Sequence, residues 1–65
     1  MITIDKNTPT SDLLEIEVGF NITDGNKLKG YVTEIKISDT DEFWLFLFSL
    51  DNGNQIEIMK IKNIC

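Results

Sequence analysis

A chain of 65 residues with six lysines, eleven acidic residues, no arginine and no histidine carries a formal charge of −5; it reads as one domain, residues 1–65, able to bury only ~60% of its unfolded surface. Its single cysteine, Cys65, excludes an internal disulfide, and one Cys without any His excludes a structural zinc site of about four ligands, so association with another chain is the remaining supplement to a small core. An apolar content of 42% beside 26% charged residues excludes disorder, and lysines interleaved with acids, without an arginine, argue against nucleic acid as a partner.

The N-terminal segment allows two readings. "MITI" suits an edge strand, and "TPTSDLLE" suits a single helical turn capped by Ser11 or Asp12 with Glu15 as the reciprocal partner. Pro9 prevents a continuous helix from residue 1.

"LLEIEVGFNI" alternates Leu14, Ile16, Val18, Phe20 and Ile22 with Glu15, Glu17, Gly19 and Asn21, the pattern of a half-buried strand. Asp24-Gly25 or Gly25-Asn26 then supplies a tight hairpin turn. In "KLKGYVTEIKI", Leu28, Gly30 and Val32 share one parity and Ile35 and Ile37 the other. A parity switch needs an extra residue, so a bulge is predicted near Thr33-Glu34, with Gly30 easing the curvature.

After the polar tip "SDTDE" comes "FWLFLFSL", Phe43 to Leu50, apolar on both faces. Asn52-Gly53 predicts a type I′ hairpin into "QIEIMKIKNI". There Ile56 and Ile58 alternate, while Met59, Ile61 and Ile64 lose the period, which predicts a 3₁₀ turn near Lys60 and a short terminal strand.

This order of elements, with "KGYVTEI", an "NG" turn and a last strand ending "I..I..I", resembles the SH3-like and Sm-like small β-barrels, including stand-alone WYL-type and YolD-like domains. The resemblance covers about Leu13 to Ile64. It implies an all-β fold, a barrel of about five strongly bent antiparallel strands with a short N-terminal strand or turn. An Sm-like reading also implies ring assembly and RNA binding, but that family's Asp/Asn and Arg-Gly contact signatures are not evident.

No catalytic constellation is present. Without histidine, no Ser, Thr or Cys has the base that nucleophilic catalysis needs, and Cys65 at the end of the chain is hard to pre-organise. The expectation is therefore a protein that is not an enzyme and holds no cofactor. Asp39, Asp41 and Glu42 lack the further oxygens and the central glycine of a calcium loop, so they read as a solvated acidic rim. Tyr31 and Trp44 read as core or interface in preference to a base-stacking platform, since no arginine accompanies them. The start "MITIDKNTPTSD" has no basic n-region, and the longest apolar run falls far short of the ~20 residues of a membrane span. A lone cysteine fits a reducing cytoplasm, the host's if the protein is phage-encoded.

The working assignment puts Phe43, Leu45 and Leu47 in the core and Trp44, Phe46, Phe48 and Leu50 on an outward face that docks a partner, while a run apolar on both sides leaves the reverse parity open. A chain too small to cover both faces of this strand points to an oligomer or a partner-binding protein. The first expectation is a non-catalytic protein-binding module, an inhibitor, adaptor or assembly subunit. Small Asn/Ile/Lys-rich domains of this kind resemble accessory proteins of bacteriophages and other mobile elements. The alternative is an oligomeric barrel that binds a nucleotide or other small molecule through Lys27, Lys29 and backbone amides; the third is Sm-like nucleic-acid binding.

Overall fold

The computed structural model describes residues 1–62. In chain order it contains β1 (Ile2–Thr3), α1 (Thr10–Leu14), β2 (Asn21–Thr23), β3 (Lys29–Asp39), β4 (Phe43–Leu50) and β5 (Gln55–Ile61). Half of these residues are in strands and 8% in the helix, an all-β fold. The strands pair in the order β1-β2-β3-β4-β5. β2 to β5 are antiparallel neighbours, but β1 runs parallel to β2. That departs from the all-antiparallel expectation because residues 4–20, α1 among them, form the crossover of about a dozen or more residues that parallel pairing requires.

Both N-terminal readings are present at once. Pro9 is the N-cap of α1, and its carbonyl accepts from the amides of Asp12 (3.0 Å) and Leu13 (3.1 Å). Ser11 and Asp12 lie inside the first turn and make no side-chain cap, since the helix begins at Thr10, three residues ahead of the first helical position that a capping box of Asp12 with Glu15 would set. The long strand expected over Leu14–Ile22 is only Asn21–Thr23. Leu14 ends the helix, and Gly19, at φ 98°, breaks the extended run.

The register of β3 slips between Val32 and Glu34, at the predicted bulge, and Thr33 Oγ1 donates to the Ser49 carbonyl at 3.3 Å. Ahead of the bulge β3 pairs with β2, and beyond it with β4 alone. β1, α1 and β2 therefore fold over one end of a β3–β4–β5 ribbon. Ile4, Leu13, Ile16 and Ile22 from the cover meet Val32, Phe46, Phe48, Leu50, Ile56 and Ile58 from the ribbon in one core. The sheet is strongly curled, and β1 does not pair with β5. A hydrogen bond from Lys60 Nζ to the Lys6 carbonyl (2.6 Å) spans that seam.

β5 continues unbroken through Lys60, so the predicted 3₁₀ turn is absent. Lys60 takes the inward position after Ile56 and Ile58, directly across from Trp44, and Met59 and Ile61 belong to the opposite face. The apparent loss of period is a strand with apolar residues on both sides. Ile64, the proposed terminal strand and Cys65 lie outside the described residues.

Candidate functional site: the outer face of the ribbon

The parity of β4 is the reverse of the sequence assignment. Phe46 and Phe48 have no exposed surface, and Leu50 is also buried. Trp44, Phe46 and Phe48 form a parallel ladder with ring centroids 6.0 and 6.3 Å apart, and Trp44 packs half-buried against the core. The predicted docking residues are thus the inner face.

The cause is the hairpin loop. A two-residue type I′ turn would place Leu47 across from Ile58. Instead the Leu50 amide donates to the Asn54 carbonyl (2.8 Å) and the Gly53 amide to the Leu50 carbonyl (3.2 Å), which encloses three residues, Asp51–Gly53. Only Gly53 has positive φ, 87°. This is a type I turn closed by a glycine bulge. It pairs Phe46 with Ile58 and Phe48 with Ile56, and a slip of one residue exchanges the faces of the whole strand.

The outward set is therefore Phe43, Leu45, Leu47 and Ser49. Across the sheet Phe43 faces Ile61, Leu45 faces Met59 and Leu47 faces Glu57, while Ser38 and Lys36 flank Leu45 and Leu47 on the β3 side. Phe43, Leu45 and Leu47 are half-buried; Met59 is 51% and Ile61 75% exposed. Five apolar side chains make a continuous patch of roughly 300–400 Å², at the size where patches on small proteins become binding surfaces. Sequence reasoning missed Met59 and Ile61 as members of this face. The signal was their common parity, two residues apart.

The other site residues are dispersed. Tyr31 is exposed across from Asn21 at the start of β3, and Trp44 pairs with Asp39 at its end. Eight residues of strand, about 26 Å, separate them, so they do not form one stacking platform. Asp39 is bound by Lys62, whose ammonium lies 4.8 Å from the Trp44 ring centroid. Asp41 and Glu42 are exposed in the β3–β4 tip, where Thr40 Oγ1 accepts from the amides of Phe43 (3.0 Å) and Glu42 (3.3 Å). Among the described residues no group of three or more His, Cys, Asp or Glu side chains converges, and no helix is long and apolar enough to cross a membrane.

Concavities among the described residues include two. One, about 200 Å³, lies between α1 and β1 over Ile2, Ile4, Ile16 and Phe20, with Asp12 and Glu15 at its rim. The other is a shallow depression beside Lys29, Tyr31, Asp51 and Asn52. Its carboxylate, Asp51, opposes an anion there, and Lys27 lies exposed in the β2–β3 loop without lining it. No family model, curated protein or solved structure matches this chain.

Proposed function

We propose that the protein is a non-catalytic binding module of the SH3-like or Sm-like small-barrel kind, an inhibitor, adaptor or assembly subunit that acts in the cytoplasm by docking another protein chain. The docking surface is the outer face of β4 and β5. One observation carries this reading: Phe43, Leu45, Leu47, Met59 and Ile61 lie together on the side of the ribbon that no other element among the described residues covers. Covering such a surface removes apolar area from water at about 25 cal/mol per Å², a stronger drive than the dispersed lysines give toward nucleotides or nucleic acid. The phage-like accessory role belongs to the same proposal, since small proteins of that kind act by occupying a partner.

Affinity capture from cells that express the tagged chain tests the reading, with wild type and Leu45→Lys compared by mass spectrometry. A chain held by wild type and lost from Leu45→Lys, whether another protein or a differently tagged copy, supports it. Equal recovery by both overturns it.

A further inference from the structure

Resting on that reading of the outer face, we propose that its occupant is a second copy of this chain, packed face to face about a twofold axis that runs along β4. Lys36 on β3, Leu47 on β4 and Glu57 on β5 stand level across the sheet, a cation on one flank and an anion on the other. A half-turn about an axis along β4 exchanges the flanks. Lys36 of each copy then lies over Glu57 of the other, while Leu47, Leu45 and Phe43 each meet their own counterpart.

Neighbouring rows agree. Glu34, Ser49 and Gln55 form the next row, so Glu34 meets a neutral amide, and Ser38 meets Met59. A twofold axis across the strands would instead bring Lys36 against Lys36, or the charged row against the apolar one. Self-complementarity under a twofold is what an isologous interface requires, and the axis along β4 supplies it. Lys36 also approaches Glu34 of its own strand at 3.9 Å, with both side chains more than half exposed. A contact that loose leaves ammonium donors free for Glu57.

The size of the face fits a weak dimer. The eight residues of β4, flanked by seven of β5 and by Glu34–Asp39 of β3, present about 24 by 14 Å, which corresponds to about 900 Å² buried over both copies, in the range of weak or transient interfaces. The chain also exposes 4515 Å², somewhat more than the ~4,200 Å² of a compact monomer of its mass. Packing two sheets at ~10 Å turns the open ribbon into a sandwich.

Sedimentation of the purified chain across micromolar to sub-millimolar concentration tests this. Wild type is expected to dimerise with concentration. Leu45→Lys is expected to stay monomeric with an unchanged circular dichroism spectrum, and Met59→Lys, at a half-exposed position, serves if Leu45→Lys does not fold. Lys36→Glu and Glu57→Lys alone should each weaken the dimer by ~5-fold or more, and the two together should recover most of that loss. A monomeric wild type overturns the proposal, as does a dimer indifferent to Leu45→Lys and Met59→Lys, or a pair of charge reversals that does not rescue. A monomeric wild type whose capture of another protein still depends on Leu45 overturns self-association alone. If that capture is also indifferent to Leu45, the binding reading falls with it.

Discussion

Gly30 lies directly against Asp51: a Cβ on Gly30 would stand 2.9 Å from Asp51 Oδ1 and 3.3 Å from Leu50 Cβ. The contact clasps the β4–β5 loop onto β3 just ahead of the bulge. The Asp51 amide donates to the Tyr31 carbonyl (2.9 Å), Asp51 Oδ1 accepts from the Tyr31 amide (3.2 Å), and Asn52 Nδ2 donates to the Lys29 carbonyl (2.6 Å). Gly30 also has φ 157°. Gly30→Ala is therefore expected to lose ~1–3 kcal/mol through strain and crowding, and Asn52→Ala about 1 kcal/mol through its lost hydrogen bonds. Urea unfolding followed by circular dichroism measures both, and unchanged midpoints would show that the loop yields without cost.

Gly53 closes the same loop at φ 87°, with open space around its missing side chain. Strain there comes from the backbone alone, so Gly53→Val should destabilise by on the order of 1–3 kcal/mol. Gly53→Asn should lose distinctly less, because asparagine tolerates this region. Equal losses for the two variants would place the cost in packing and contradict the turn geometry.

How much of this was legible in the sequence depended on whether a local signal had one meaning. The parity change from Val32 to Ile35 can arise only from an inserted residue, so the bulge at Thr33 was readable. Asn52-Gly53 marked a turn correctly, but the dipeptide also fits a three-residue loop, and that single residue decides which face of β4 is buried. Since "FWLFLFSL" is apolar on both sides, nothing in its own pattern could choose. Ile56 and Ile58 identify the inner face only once the loop length is known. The strand expected over Leu14–Ile22 failed because Ile16 is buried from the irregular segment between α1 and β2, 6% exposed, and alternation alone does not distinguish that from a strand.

At the far end of the ribbon, Lys62 joins the Asp39 carboxylate to the face of Trp44. Both charged side chains are substantially solvated, 30% and 54% exposed, so the ion pair is worth little. Asp39→Asn is expected to lose less than ~1 kcal/mol, and part of that loss should vanish in 1 M salt. Lys62→Met should be nearly neutral, since an apolar side chain can still lie on the indole. A loss beyond ~2 kcal/mol for Asp39→Asn would mean that the pair holds the ribbon's tip in place.

The sharpest test of the fold is the asymmetry between the two faces of β4. Phe46 and Phe48 are fully buried and stacked in the core, so truncation of either to alanine removes an aromatic ring from a closed interior. Each should cost ~3–5 kcal/mol, which is comparable with the whole stability of a domain this small. Leu45 and Leu47 lie half-buried on the outer face, where truncation leaves no internal cavity, and Leu45→Ala or Leu47→Ala should cost ~1 kcal/mol or less in the monomer. Unfolding of the four variants at low protein concentration isolates this term from any association. Two unfolded phenylalanine variants beside two folded leucine variants are the expected result. The reverse pattern would place Phe43, Leu45 and Leu47 in the core and restore the two-residue turn.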